Sequence, residues 1–139
     1  MRVDTVVFPE TEVLYAAATG TPDAIPDAAG RAFEELEAKI PPRGRKVFGY
    51  WHPPALEYRA CYALKPEDSP DARGFATAVL AGGLYRRARL KGKDVYAQIP
   101  GAFDELAAAG GLADDGRPWL ESYRRHDEVD VLVPLAEPG

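Results

Sequence analysis

The chain has 139 residues, 46% of them hydrophobic and 28% charged, a composition typical of one folded domain and not of a disordered chain. Its formal net charge of −5 argues against nucleic acid as a direct partner, because free nucleic-acid-binding domains are usually basic. The single cysteine and the lack of a long apolar stretch in the sequence exclude an internal disulfide and a transmembrane helix. We therefore expect one cytoplasmic domain, residues 1–139, with no membrane partner.

The first half of the sequence combines strand-like and helical patterns. From Pro26 to Ile40, apolar residues recur at steps of three or four, which predicts an amphipathic helix that begins near Pro26. Short apolar and aromatic runs predict strands on both sides of this helix. These strands cover residues 6–8, 13–18, 45–52 and 58–64.

The second half follows a polar, proline-rich linker at about residues 66–74. Apolar residues from Val95 to Leu106 share one helical face, and Pro100 lies among them, so this helix is predicted either to start at the proline or to be kinked there. The strands predicted in this half cover residues 75–80, 84–90, 119–123 and 129–135.

The two halves repeat each other in sequence. The segment AFEEL at residues 32–36 of the first helix matches AFDEL at residues 102–106 of the second, a shift of 70. The same shift takes residues 14–15 to residues 84–85, and after the helices the shift becomes 72. A chance similarity between two amphipathic helices is the alternative, but it does not account for the matching order of the flanking elements.

This duplication predicts an α+β fold. Two β-α-β-β half-domains, at about residues 3–65 and 75–136, are each too small to bury much surface alone. We expect them to form one antiparallel sheet with two helices on one side, and a ligand cleft at the pseudo-twofold seam.

Three segments of the second half resemble the GyrI-like (gyrase-inhibitor-like) small-molecule-binding domains, also described as the effector-binding domains of bacterial transcription activators. They are GGLY at residues 82–85, WLESY at 119–123 and DVLVPL at 130–135. The last two give the glutamate–x–tyrosine and the strand ending in valine-proline that are typical of the family. The resemblance implies a SOUL-like duplicated fold that binds varied small molecules, in some members protecting the cell against gyrase poisons. No helix-turn-helix module accompanies these motifs, so we expect a stand-alone domain.

Alternation along a strand places Trp119, Glu121 and Tyr123 on one face. The shift of 72 relates Glu121 to Gly49 and Tyr123 to Trp51, and the missing side chain of Gly49 would leave room for a ligand. Among these aromatics an ionised Glu121 is costly unless it meets a cation or a donor, and we expect the loss of water to raise its pKa. The resemblance places this glutamate at the base of the ligand cleft. The alternative is a surface glutamate bonded to a neighbouring arginine.

Aromatic side chains on the predicted strands are candidates to hold a flat or cationic ligand by stacking. Core packing is the alternative, and we expect about half of them to be core residues, since most strand aromatics are buried. The ligand-binding candidates are Gly49, Tyr50, Trp51, Tyr85 and Trp119, and the catalytic candidates are Glu121 and Tyr123.

Basic residues are concentrated in the strand predicted at residues 84–90. Arg86, Arg87 and Arg89 depart from the family pattern, where smaller or apolar residues are usual, and Lys91 and Lys93 follow them. A charged edge strand that discourages aggregation is the favoured interpretation, and an anion or nucleic-acid contact is the alternative. Whether this strand contributes to the site is left open.

Metal-binding and redox-active residues are few. His52, His126 and Cys61 are too scattered along the sequence for an evident zinc site. A surface position is the favoured interpretation for the histidines and a proton shuttle the alternative, while Cys61 is expected to pack as a small apolar group. We expect no metal and no cofactor.

Three functions follow from these residues and from the resemblance. The first is a binding protein for a lipophilic aromatic molecule, including a cationic one, in drug or toxin resistance or sensing. The second is a hydrolase that opens the cyclopropane ring of cyclopropanoid DNA-alkylating antibiotics. In it, Glu121 would activate water, Tyr123 would donate to the developing oxyanion, and Trp51 and Trp119 would hold the ring system. A third, weaker candidate is haem or porphyrin binding, since SOUL proteins share the implied fold. Ligand identity and oligomeric state are left open.

Overall fold

The computed structural model describes residues 2–69 and 71–137, which form eight strands and two helices. The strands are β1 (Arg2–Phe8), β2 (Thr11–Thr19), β3 (Val47–His52), β4 (Glu57–Ala63), β5 (Ala76–Leu80), β6 (Gly83–Lys91), β7 (Trp119–Arg125) and β8 (Glu128–Pro134), and the helices are α1 (Ile25–Lys39) and α2 (Val95–Ala108). Each predicted strand and helix is present, with bounds that differ by a few residues. The predicted linker contains two short 3-10 turns, and Pro70 within it lies outside the described residues.

These elements form two compact units with the same architecture. One unit is Thr11–Leu80, and the other consists of the described residues within Met1–Glu10 and Ala81–Gly139. The first unit has strand order β3-β4-β2-β5 and packs α1 on its sheet; the second has order β7-β8-β6-β1 and packs α2. Every strand pair within a unit is antiparallel. The predicted α+β class, the antiparallel pairing and the duplication are therefore confirmed.

The units divide the chain differently from the predicted half-repeats. Two strands precede each helix, as the predicted strand ranges imply, and the first strand of each half pairs within the unit of the other half. In this way Val6 of β1 lies opposite Tyr85 of β6, and Ala78 of β5 lies opposite Val13 of β2. Burial explains why β1 pairs with β6. Phe8 at the end of β1 is buried and packs edge-to-face on Tyr85, with ring centroids 5.7 Å apart.

Strand register also revises the repeat. Across the strands of each unit the paired residues form corresponding rows, which read Gly49–Ala60–Ala16 in one unit and Glu121–Val131–Ala88 in the other. Gly49 is thus the counterpart of Glu121, as the shift of 72 predicts. The rows also relate Ala16 to Ala88, again a shift of 72, so the sequence match of residues 14–15 to residues 84–85 is two residues out of register.

The core of the first unit lies between α1 and its sheet. The buried side chains of α1 are the small or apolar Ala28, Ala32 and Leu36. On β4, Tyr62 is fully buried and donates from its hydroxyl to the carbonyl of Ile40 at 2.8 Å, just after the helix ends. A buried phenol needs such an acceptor, and burial raises the pKa of Tyr62 to about 12.

In the second unit, α2 begins at Val95 and contains Pro100 in its sixth position, so the helix does not start at the proline. Its buried face packs on Ala88 and Leu90 of β6 and on the valines of β8. The five buried residues of α2 recur at helical spacing: Val95, Ile99, Ala102, Phe103 and Leu106. Within the described residues, neither helix is long and apolar enough to cross a membrane.

The basic strand is an interior strand, which corrects its prediction as an edge. β6 pairs with β1 on one side and with β8 on the other. Its arginines serve the unit's own structure: Arg86 donates to the carbonyls of Leu106 and Gly110 at the end of α2, and Arg87 forms a two-bond ion pair with Asp4. The sequence did not indicate that β6 is an interior strand, because its partner strand β1 is distant in sequence.

Candidate functional site

The predicted face of β7 is present in the structure. Trp119 and Tyr123 both pack against the apolar cluster that α2 forms with β6 and β8. Glu121 lies between them in the strand, opposite Val131 of that cluster. Because alternate residues of a strand point the same way, the carboxylate of Glu121 lies on the face that carries α2.

Two ring pairs join α2 to β7. Phe103 packs on Trp119 with ring centroids 5.4 Å apart, and Tyr96 packs on Tyr123 with ring centroids 6.1 Å apart. Tyr96 and Phe103 are two helical turns apart, about 10 Å, and the two β7 residues are about 13 Å apart along the strand. The helix therefore runs antiparallel beside β7, with one ring pair on each side of Glu121. We call these four aromatic residues the ring frame.

Glu121 is a buried carboxylate with a short hydrogen bond. Only 7% of the residue is exposed, and the hydroxyl of Tyr123 donates to its Oε1 at 2.6 Å. A buried carboxylate is stable only where donors or cations replace the lost water, and a phenol that donates to an ionised oxygen is among the stronger hydrogen bonds. The arrangement places this buried carboxyl group between the two aromatic pairs of the ring frame.

Half of the ring frame was missed by the sequence analysis. Phe103 belongs to the apolar helical face predicted from Val95 to Leu106, and Tyr96 was not singled out at all. The signal was available, since Tyr96 and Phe103 are seven residues apart and so lie on one stripe of a helix. What the sequence lacks is the orientation of the helix against β7, on which the ring pairs depend.

Gly49 and Trp51 lie on β3 of the other unit. Both are buried, and their register partners on β4 are Ala60 and Tyr58. The structure thus brings Trp119, Glu121 and Tyr123 together on one strand face and places these two candidates on the corresponding strand of the first unit.

Tyr50 alternates with Gly49 and Trp51 and so lies on the opposite face of β3. Its ring covers the guanidinium of Arg59 at 4.5 Å, and the ring of Tyr15 covers the other side at 4.3 Å. Burial raises the pKa of the Tyr50 hydroxyl. One face of the Tyr50 ring is thus occupied by a cation of the chain itself.

Tyr85 is a core residue. Its side chain is fully buried, its hydroxyl donates to the carbonyl of Ala81 at 2.7 Å, and the guanidinium of Arg117 lies 5.1 Å from its ring centre. Burial raises the pKa of Tyr85 to about 12. It lies on the face of β6 opposite to Ala88 and therefore away from the ring frame.

Comparisons with known proteins identify the fold. No protein-family model and no curated protein matches the chain. Among solved structures, it is similar to the integron cassette protein VCH_CASS2 from the mobile metagenome of Vibrio cholerae, with 17% identity and a TM-score of 0.69 over 96% of this chain and 95% of that one. It is also similar to SAV2435 bound to tetraphenylphosphonium, with 14% identity and a TM-score of 0.66 over 98% and 94%. A hydrolase from Listeria innocua matches with 13% identity and a TM-score of 0.53 over 97% and 92%. At these identities the likeness establishes the shared fold alone.

Proposed function

We propose that this chain is a GyrI-like domain that binds a lipophilic aromatic cation at Glu121. The observation that carries the proposal is the carboxylate of Glu121, 7% exposed and lying between the two ring pairs of α2 and β7. A structural neighbour that holds tetraphenylphosphonium, an aromatic cation, supports the same class of ligand. Such a domain would sequester or report on a drug or toxin.

The chemistry of the site favours a cation with a diffuse charge. An ammonium group is strongly hydrated. A charge surrounded by aromatic rings is weakly hydrated, so it loses less hydration free energy when it leaves water. Each ring that faces the cation adds about 0.5–2 kcal/mol. The carboxylate then supplies the counter-charge, and the rings of Trp119 and Tyr123 supply the apolar contact.

Hydrolysis of a strained cyclopropane is the second candidate, supported by the hydrolase among the structural neighbours and by the carboxylate–phenol pair. In that reaction Glu121 would take a proton from water while Tyr123 donated to the substrate carbonyl. A phenol carries one proton, and that of Tyr123 is directed at Glu121. This bond must break before the tyrosine can serve a substrate, so binding requires less rearrangement than catalysis.

Titration calorimetry with tetraphenylphosphonium and with neutral triphenylphosphine oxide tests whether Glu121 is the counter-ion of the bound cation. The Glu121→Gln variant keeps the shape of the side chain and removes its charge. We expect it to bind the cation at least tenfold more weakly, a change of about 1.4 kcal/mol, and to bind the neutral compound like the wild type. Glu105→Gln, which removes an exposed charge from α2, is the matched control. Equal affinity of wild type and Glu121→Gln for the cation would exclude the carboxylate as counter-ion.

Turnover separates the two candidate functions. The protein is incubated with excess cyclopropanoid compound, and the ring-opened product is measured against the protein concentration. Binding alone predicts no more than one equivalent of product. Several equivalents, lost in Glu121→Gln, would favour the hydrolase instead.

A further inference from the structure

We infer that Tyr96 is the outer wall of the Glu121 site and sets its preference for bulky over small aromatic cations. This inference rests on the proposed function and adds to it a residue that determines specificity. It starts from a difference between the two ring pairs. Phe103 in one pair is 8% exposed, whereas Tyr96 in the other is 56% exposed.

More than half of Tyr96 is open to solvent and is therefore accessible to a bound molecule. Tyr96 is not isolated on the surface, because its ring packs on that of Tyr123, whose hydroxyl holds Glu121. A molecule bound at the carboxylate that extends past Tyr123 therefore meets Tyr96 next. Covering its exposed face removes apolar surface from water, which favours ligands large enough to reach it.

The first turn of α2 lacks one backbone bond and is held by others. Pro100 has no N–H, so the carbonyl of Tyr96 lacks the donor that the fourth following residue normally supplies. Gln98 ties the turn to the preceding residues, because its backbone N–H and its side-chain amide both donate to Asp94 and the amide also donates to the carbonyl of Lys91. The ring of Tyr96 is therefore carried by a turn that is bonded to the end of β6.

The two cations that test the inference differ in size and share the charge. We expect a small ligand, N-methylpyridinium, to lie against the carboxylate without covering Tyr96, whereas tetraphenylphosphonium carries phenyl groups in several directions. The decisive quantity is the dissociation constant of N-methylpyridinium divided by that of tetraphenylphosphonium. A general loss of folding or of the carboxylate weakens the binding of both ligands alike and leaves this ratio unchanged.

Tyr96→Ala is expected to reduce this ratio at least fivefold. The variant should bind tetraphenylphosphonium more weakly, while its affinity for N-methylpyridinium stays within twofold of the wild-type value. Tyr96→Phe keeps the ring and should keep the ratio. The control is Val79→Ala, which truncates another exposed apolar side chain, on β5 of the other unit. A wild-type ratio in Tyr96→Ala would overturn the role of Tyr96 and leave the proposed function intact.

A second measurement does not depend on any variant. In the wild-type protein, nuclear Overhauser contacts between the phenyl protons of tetraphenylphosphonium and the ring protons of Tyr96 are expected on binding. Their absence in a protein that binds the cation would also overturn the inference. A wild type that binds neither cation contradicts the proposed function itself, and the role of Tyr96 with it.

Discussion

The hydroxyl of Tyr123 donates to Oε1 of Glu121 across 2.6 Å, and the two residues share one face of the same strand. The spacing of two makes this pair local, so strand geometry alone brings the phenol beside the carboxylate. The counterpart strand of the other unit carries Trp51 and Gly49 at these positions. The duplicated fold therefore holds the carboxylate–phenol pair in one unit and lacks it in the other.

Replacing Tyr123 by Phe keeps the ring contact with Tyr96 and removes the donor. We expect the free energy of unfolding to fall by about 1–3 kcal/mol, because the buried carboxyl group of Glu121 loses a hydrogen-bond donor. Urea denaturation measures the change. Tyr96→Phe is the control, since it deletes a hydroxyl from the exposed ring of the same pair. A stability equal to that of the wild type would mean that the bond to Glu121 contributes nothing net.

A second buried carboxylate, Asp68, holds the segment between β4 and β5. Its side chain is fully buried and accepts two hydrogen bonds of 2.7 Å from Arg45 and one of 2.9 Å from the backbone of Lys65. Asp68→Asn leaves the Arg45 charge buried without its partner, which costs about 3–5 kcal/mol. Glu67→Gln, in the same turn and largely exposed, is expected to change the unfolding midpoint little. Similar urea midpoints for the two variants would contradict this assignment.

Acid should destabilise the protein through the same carboxyl. The hydrogen bonds from Arg45 hold the pKa of Asp68 well below the usual range of an aspartate. A group with a lowered folded-state pKa adds stability that is present above the unfolded value and is lost as the pH falls towards the folded one. We therefore expect thermal stability to decline below about pH 4 and to decline less steeply in Asp68→Asn. Parallel curves of melting temperature against pH would show that other carboxyls account for the loss.

Pro100 is expected to lower the stability of α2. It is exposed within the helix, so replacing it by Ala returns a backbone donor for the carbonyl of Tyr96 and leaves no cavity. An interior proline costs about 3 kcal/mol relative to alanine in an ordinary helix, and we expect Pro100→Ala to recover part of this. Gly101→Ala, one residue later, controls for helix propensity. A melting temperature that rises no more in Pro100→Ala than in Gly101→Ala would mean that the first turn has already adapted to the proline.

Local patterns in the sequence predict the strands, the helices and the shared face of Trp119, Glu121 and Tyr123, because side-chain periodicity is a property of a few neighbouring residues. They do not predict that β1 pairs with β6. That pairing joins residues about 80 positions apart, such as Asp4 and Arg87, and it decides that the basic strand is interior.

The same limit applies within the candidate site. The ring pair of Tyr96 and Tyr123 depends on how α2 lies on its sheet, and that placement is set by packing over the whole unit. The exposure of Tyr96 could not be predicted from the sequence either, since Tyr96 lies between the buried residues Val95 and Ile99 of the helix.

Arg59 provides the last prediction, because its guanidinium lies between two tyrosine rings. Tyr15 and Tyr50 cover it at 4.3 and 4.5 Å, and Glu57 pairs with its edge at 3.0 Å. A lysine keeps the charge and lacks the flat group that two rings can cover, so we expect Arg59→Lys to destabilise the protein by about 1–2 kcal/mol. Arg31→Lys is the control, since Arg31 is exposed and its described hydrogen bond goes to a backbone carbonyl. If the two variants unfold at the same urea concentration, the contacts of Arg59 with Tyr15 and Tyr50 stabilise the protein no more than the contacts of an ordinary surface arginine.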